Sequence, residues 1–170
     1  MEKIKHKILE IIEYLGPSGI TKIVLILILL IFMVSVYSSS NAKDIDLDSL
    51  EAQLKKKTDI NKMQKCSKRN LMQFMALDYN AYDSFIYYKS KEALGVGELL
   101  VIKANRKEDL SEVLDAVDKR VESQIKTFEG YGPKQVILLK DAIVYKKGQY
   151  LLYCVGKNPD IYQEVFKDAI

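Results

Sequence analysis

One strongly apolar run, residues 23–37 with the sequence IVLILILLIFMVSVY, constrains this chain more than any other feature. From Ile23 to Val34 the run contains no polar side chain. A membrane span needs about 20 apolar residues. Residues 20–39 provide that length if the ammonium group of Lys22 reaches the interface. The sequence therefore predicts a transmembrane helix over residues 20–39.

The run can serve as an uncleaved signal anchor or as a cleaved signal peptide. Residues 40–42, Ser-Asn-Ala, resemble a small-x-small cleavage site, but the 22 residues ahead of the run favour the anchor. Lys43 is the one basic residue in the first fifteen residues after the span. Four lysines precede the run: Lys3, Lys5, Lys7 and Lys22. This asymmetry places the N-terminus in the cytoplasm and the remainder outside the cell membrane.

The predicted span divides the chain into four parts. Residues 1–19 form a cytoplasmic amphipathic tail, 20–39 the transmembrane signal anchor, 40–47 a linker and 48–170 an extracellular domain. Within the tail, the apolar spacing over residues 2–15 predicts a short helix. The outer part, about 125 residues, is long enough to bury one core.

Composition argues against several classes of function. From Lys43 onward the sequence has 22 basic and 20 acidic residues, so it lacks the basic excess of a dedicated nucleic-acid binder. The single histidine is His6, and the two cysteines, Cys66 and Cys154, are too few for a structural zinc site. We expect no cofactor, no metal and no catalytic residues. The cysteines either form a disulfide or, as we favour, remain free thiols.

The order of predicted elements indicates an α+β fold. Four strands are expected: Ser84–Lys89, Glu98–Ala104, Ala142–Lys146 and Tyr150–Val155. They pair as two β-hairpins, the second closed by Gly148. We expect the hairpins to form an antiparallel sheet with the helices packed on one face. Each hairpin precedes a helix, which is compatible with an internal duplication or with two independent hairpins that each need covering.

Helices are predicted from apolar spacing and capping residues. The first begins at Asp48, which caps with Glu51, and the second covers residues 61–77. Asn105 is expected to cap a long helix, with the charged side chains, Arg120 among them, on its wet side. Its apolar stripe comprises Leu110, Val113, Leu114, Val117, Val121, Ile125 and Phe128. Short helices follow over Pro133–Lys140 and from Pro159, the last with Ile161, Val165 and Ala169 at i, i+4 spacing.

Two groups of side chains are candidate binding surfaces. A basic cluster near the start of the domain is opposed by Asp59, and it fits either an anionic lipid or polymer or an ordinary solvated helix surface. The cluster contains Lys55, Lys56, Lys57, Lys62, Lys65 and Arg69. Tyrosines crowd both hairpins, where they form either a sugar- or peptide-binding platform or cross-strand pairs of a half-buried sheet.

A motif between two predicted helices carries a family resemblance. In residues 128–133, FEGYGP, Phe128 ends the long helix, Gly130 stops it, Tyr131 is expected to bury its ring and Pro133 starts the next helix. Together with Glu98, Gln135, Leu139, and the segments 142–144, 147–148 and 150–152, the motif resembles an uncharacterised family of clostridial-type Gram-positive bacteria. The resemblance covers Leu47–Ile170.

The resemblance implies a small cell-envelope domain carried behind a lipoprotein signal or a single span, and it implies no activity. This chain has no cysteine soon after the apolar run, so the span rather than a lipid is the expected anchor. The resulting hypothesis is a single-pass membrane protein that displays a non-catalytic binding or assembly domain. The expected partners are the membrane and an envelope protein or anionic polymer. The alternatives are a cleaved, secreted protein and a weak hydrolase that uses two converging carboxylates.

Overall fold

The structure is a computed structural model that describes residue 19, residues 21–34 and residues 42–170. Residues 21–34 are helical, whereas the predicted tail helix over 2–15 and the flanks of the predicted span lie outside the described residues. Within the described ranges, no helix is both long and apolar enough to cross a membrane. The chain divides into two units, and the second, Asn41–Ile170, holds the sheet.

A five-stranded antiparallel sheet organises the second unit, which confirms the α+β class. Its strand order is β1-β2-β3-β5-β4. The strands are β1 Gln64–Lys65, β2 Tyr82–Lys89, β3 Glu98–Ala104, β4 Ile143–Lys147 and β5 Tyr150–Val155. The two predicted hairpins are present as β2–β3 and β4–β5, and they join through the antiparallel pairing of β3 with β5.

Five α-helices accompany the sheet in residues 42–170. They are α1 Leu47–Lys57, α2 Lys68–Met75, α3 Leu110–Phe128, α4 Pro133–Lys140 and α5 Pro159–Ala169. The apolar stripe predicted for α3 is buried or half-buried along its whole length. In α5 the buried side chains are Tyr162, Val165 and Phe166, while Ile161 is exposed.

The helices cover both faces of the sheet, so the prediction that they pack on one face is wrong. Successive strand residues point to opposite faces, and β3 sends Leu100 and Ile102 into one core and Leu99 and Val101 into the other. The first core lies under α2, α3 and α4, and we call this side of the sheet face A. The second core lies under α1 and α5, and we call that side face B. The physical reason is that β3 and β5 are almost continuously apolar, which suits burial on both sides.

This arrangement does not keep the symmetry of an internal duplication. A two-fold axis that exchanges the antiparallel strands β3 and β5 must run perpendicular to the sheet, and it would leave both hairpin-following helices on one face. Instead α3 follows the first hairpin on face A, and α5 follows the second on face B. The geometry favours two hairpins that are each covered independently.

Several predicted helix starts are corrected by the observed caps. Asp46 rather than Asp48 caps α1, accepting hydrogen bonds from the amides of residues 48 and 49. The helix predicted over residues 61–77 is wrong in its first half, which contains a 3-10 turn and β1. Ser67 starts α2 through a reciprocal capping box with Asn70. The long helix starts after a turn closed by Arg106 and Asp109, not at Asn105.

The glycines of the two turns take the positions expected from sequence. Gly130 has a φ of 96° just after α3 ends, and Gly148 has a φ of 58° at the first position of the β4–β5 turn. Pro133 is the first residue of α4, and the side chain of Phe128 is buried. Tyr131 does not bury its ring as predicted: it is 61% exposed and lies against Phe128 at 5.5 Å between ring centroids.

The segment 42–46, which we predicted as part of a linker, is tied to the end of the sheet. The amide of Ile45 donates to the Tyr150 hydroxyl at 2.9 Å, and that hydroxyl donates to Asp44 at 3.0 Å. Lys103 adds an ion pair with Asp44 at 2.8 Å and one with Asp83 at 3.3 Å. These carboxylates outweigh partial burial and raise the pKa of the Lys103 ammonium. The segment is therefore part of the folded unit.

Replacing Tyr150 with phenylalanine should release this segment. The variant removes the acceptor of the Ile45 amide, and a hydrogen bond of this kind contributes about 1 kcal/mol, or roughly a fivefold change in an equilibrium constant. We expect amide hydrogen exchange at Ile45 to accelerate by about that factor. Tyr145→Phe, on the neighbouring strand, is the matched control and should leave Ile45 unchanged. Equal exchange rates in both variants would contradict the assignment.

Candidate functional site

Two carboxylates are buried within the described residues, and they lie on opposite faces of the sheet. Glu98, at the start of β3, is 1% exposed and points to face A. Glu51, in α1, is 4% exposed and lies on face B. The consecutive residues Tyr87 and Tyr88 of β2 send their hydroxyls to opposite faces, one to each carboxylate. The two sites therefore have the sheet between them.

Glu98 is held by one hydroxyl and one guanidinium. The Tyr87 hydroxyl donates to one carboxylate oxygen, and Nε of Arg120 donates to the other at 3.2 Å. Both partners are largely withdrawn from water: Tyr87 is buried, and the side chain of Arg120 is 17% exposed. Burial, the charge of Glu98 and their hydrogen bond together raise the pKa of Tyr87, so its hydroxyl stays a donor at neutral pH.

The register of the strands explains why these groups meet. Lys89 of β2 lies directly opposite Glu98, and Tyr87 lies opposite Leu100, so residues 87, 89 and 98 share face A. Arg120 reaches them from α3, three residues after the buried Val117. The prediction that Arg120 lies on the wet side of this helix is wrong, because its position belongs to the covered side.

The charge of Glu98 is surrounded by further polar groups on face A. The Lys89 ammonium lies 3.4 Å from the ring centroid of Phe74 in α2, and the Arg120 guanidinium carbon lies 5.6 Å from the same centroid. Burial and the nearby guanidinium lower the pKa of Lys89, although Glu98 opposes them. We call Tyr87, Lys89, Glu98, Arg120 and Phe74 the face A cluster.

Two groups at the edge of this cluster remain uncharged. The Tyr153 hydroxyl is buried without a hydrogen-bond partner among the described residues, and burial followed by the charge of Glu98 raises its pKa. Burial also raises the pKa of the half-buried Cys66 thiol, with Lys89 opposing that shift. The thiol is therefore a poor nucleophile at neutral pH.

The face B carboxylate is bound differently. Glu51 accepts a hydrogen bond from the Tyr88 hydroxyl at 2.6 Å, and it forms ion pairs of 2.6 Å with both Lys55 and Lys65. Burial opposes its ionisation, but the hydrogen bonds from the two lysines and the tyrosine outweigh it and lower the pKa of Glu51 to about 2. Burial together with this carboxylate raises the pKa of Tyr88 to about 12.

Four of the six cations of the predicted basic surface lie within ion-pair distance of carboxylates. Lys55 and Lys65 compensate Glu51, while Lys57 lies 3.8 Å from Asp168 and Lys62 lies 4.0 Å from Asp59. Lys56 and Arg69 are exposed, and neither has an ion-pair partner among the described residues. The structure thus leaves two of the six predicted cations uncompensated.

The structure also decides between the alternatives for the hairpin tyrosines and for the two cysteines. The tyrosines of the hairpins do not form an exposed platform, because Tyr82, Tyr87, Tyr88, Tyr150 and Tyr153 are buried beneath the helices. Cys66 and Cys154 are free and pack on opposite faces of the sheet, so the disulfide alternative is wrong. Burial raises the pKa of Cys154 to about 12.

The geometry limits what the buried carboxylates can do chemically. A glycosidase-type mechanism requires two carboxyl groups that flank one substrate bond. Glu51 and Glu98 cannot share a substrate, because they lie on opposite faces of a covered sheet. Each is engaged by donors within the protein. The arrangement supports neutralisation of charge rather than proton transfer to a ligand.

Replacing Glu98 with glutamine should destabilise the protein by about 3 kcal/mol, because it leaves the buried guanidinium without its counter-charge. Adding Arg120→Met to that variant removes the unpaired charge, so part of the lost stability should return. The measurement is urea unfolding of the full chain in detergent. Glu122→Gln, on the exposed side of the same helix, is the control and should change stability by less than about 0.5 kcal/mol. Simple addition of the two single effects would refute the pairing.

Glu51 should give a distinct acid dependence. Its folded pKa, about 2, lies below the ordinary glutamate value of 4.5. It therefore contributes stability that is complete above pH 4.5 and is lost as the pH falls toward 2. Because water screens its half-exposed lysine partners, we expect this loss to be about 1 kcal/mol. We expect the difference in unfolding free energy between wild type and Glu51→Gln to shrink across this range. Glu122→Gln is again the control, and a difference that is independent of pH would argue against the assigned ion pairs.

Comparison with known proteins gives one family match, which contains all five strands of the sheet. A family model described as a domain of unknown function, DUF4358, matches residues 56–156, from the last turn of α1 to the residue after β5. The searches of curated proteins and of solved structures found no match. The resemblance to a family of unknown function is thereby confirmed. This match covers more than half of the chain, so the chain belongs to the DUF4358 family of domains of unknown function.

Proposed function

We propose that this protein is a single-pass membrane protein that displays a non-catalytic binding or assembly domain on the outer side of the cell membrane. The observation that carries the proposal is the continuous exposure of apolar side chains in the N-terminal helix. All twelve residues from Ile23 to Val34 are between 43% and 69% exposed. Such a surface is unfavourable in water and is suited to lipid.

The charge distribution supports the orientation. Four lysines precede the apolar run and Lys43 follows it, so the N-terminus is cytoplasmic and residues 42–170 are extracellular. The envelope and clostridial-type features implied by the resemblance agree with this location. A cleaved, secreted form is the alternative, with Lys43 as its first residue.

The interior of the second unit supports binding rather than catalysis. Its buried carboxylates are compensated by neighbouring side chains and do not converge. The proposed partners are an envelope protein or an anionic polymer. Within the predicted basic surface, Lys56 and Arg69 are the side chains that keep their charge available.

Membrane insertion is tested by placing charges in the middle of the apolar run. Each lysine at the centre of a span costs about 3 kcal/mol on insertion scales. We expect the full chain to remain in the membrane pellet after alkaline carbonate extraction, and the variant Leu27→Lys/Leu30→Lys to shift to the supernatant. The control is Met72→Lys/Ile137→Lys, which adds the same charge at exposed positions of the domain.

Two further measurements test the topology of the chain and its cleavage. An impermeant protease added to intact cells should digest residues 42–170 and spare an epitope placed at the N-terminus. Mass spectrometry should find residues 1–42 retained. A mature N-terminus at Lys43 would replace the anchor with the secreted alternative, and extraction of the unmodified chain by carbonate would refute membrane insertion altogether.

A further inference from the structure

Lys89 carries a charge that the described part of the protein does not compensate. Its ammonium has no carboxylate within ion-pair distance and no hydrogen-bond acceptor among the described residues, although the side chain is half-buried. Glu98, opposite it on β3, directs its two oxygens to Tyr87 and Arg120 instead. An ammonium held partly out of water without an acceptor is costly.

The ring of Phe74 offsets part of that cost. The Lys89 ammonium lies 3.4 Å from its centroid, which is a favourable cation–π contact. A ring face offers no lone pair, however, so none of the three N–H donors of the ammonium has an acceptor among the described residues. The contact holds the ammonium in place and leaves its hydrogen-bonding capacity open.

Arg120 offers further donors beside the same ring. Its guanidinium has five N–H groups, and the one on Nε is the donor to Glu98. The four N–H groups of the two Nη atoms make no hydrogen bond to the described residues. The face A cluster therefore contains two cations against one carboxylate, and both cations have donors without an acceptor in the part of the chain that the structure describes.

We propose that Lys89 and Arg120, positioned by the ring of Phe74, form a binding site for an anionic oxygen group, a carboxylate or a phosphate, of an external ligand. Such a group supplies the missing negative charge and several acceptors at once. Phe74 and Lys89 are half-buried rather than enclosed, so a ligand can approach from solvent. The site goes beyond the proposed function, because it does not depend on whether residues 20–39 anchor the chain.

The test follows the Lys89 side chain by NMR of the full chain in detergent micelles, with lysine labelled by ¹³C at its ε carbon. The ring of Phe74 should displace the Lys89 signal upfield, and Lys89→Gln identifies it by its absence. Inorganic phosphate and acetate are added separately at constant ionic strength, with chloride as the compensating anion. We expect the Lys89 signal to shift saturably, with half-saturation in the millimolar range.

The controls separate a site from general screening. The signal of Lys91, an exposed lysine two residues away, should not saturate, and Lys91→Gln should leave the Lys89 titration unchanged. If Lys89→Gln does not fold, Phe74→Leu identifies the signal, because it abolishes the upfield displacement and retains both cations. A Lys89 signal that fails to saturate with either anion, or that responds equally to chloride, would overturn the proposal.

The source of the anion is resolved by two further preparations. The full chain is reconstituted into nanodiscs of phosphatidylglycerol or of phosphatidylcholine, without added phosphate. A Lys89 signal already at its bound position in phosphatidylglycerol alone identifies a lipid headgroup as the ligand. A free position in both lipids, with saturation on adding phosphate or acetate, identifies a soluble or polymer-borne anion.

Discussion

Burial of the central strands on both faces is the constraint on which the rest of this domain depends. All six residues of β5 and six of the seven residues of β3 are buried. A strand enclosed on both sides has no solvent-exposed face on which to place a polar residue, so a polar group there is costly unless it has a partner inside the protein. Glu98 is the buried charged residue of β3, and Tyr87 and Arg120 donate the hydrogen bonds that stabilise its carboxylate.

The two buried carboxylates are both paired with cations, but the cations differ in their exposure to water. Glu51 lies near the surface, where Lys55 and Lys65 reach it with side chains that are themselves about half exposed. Water screens these pairs, which keeps their contribution moderate. Glu98 is paired with a largely buried guanidinium, so loss of either partner leaves an unscreened charge. Face A is therefore the more sensitive side of the sheet.

Local signals in the sequence predicted element positions well where glycine, proline or apolar runs mark the boundaries. The ranges Glu98–Ala104, Pro133–Lys140 and Tyr150–Val155 agree residue for residue with the structure. Capping was less predictable, because Asp46 and Asp48 are equivalent candidates until the rest of the helix is placed. The covering of both faces was missed although ELLVIKA and YLLYCV are continuous rather than alternating, which is the pattern of a doubly buried strand.

The candidate site was missed because charged residues were assigned to solvent by type rather than by position. Arg120 follows Val117 by three residues, which places it on the covered side of α3, and Lys89 alternates with Tyr87 on face A. Conversely, Lys55 and Lys65 were predicted to be part of a free basic surface, but both form ion pairs with Glu51.

One uncompensated positive charge therefore lies at the end of β2, beside Phe74, and it differs from those of the exposed Lys56 and Arg69 in being half-buried. The family match sharpens this contrast, since residues 56–156 include all five members of the face A cluster and exclude Glu51 and Lys55. The matched part of the chain thus contains the cluster with surplus positive charge and only part of the compensated one. An anionic ligand bound there would pair with the Lys89 ammonium and with the remaining donors of the Arg120 guanidinium.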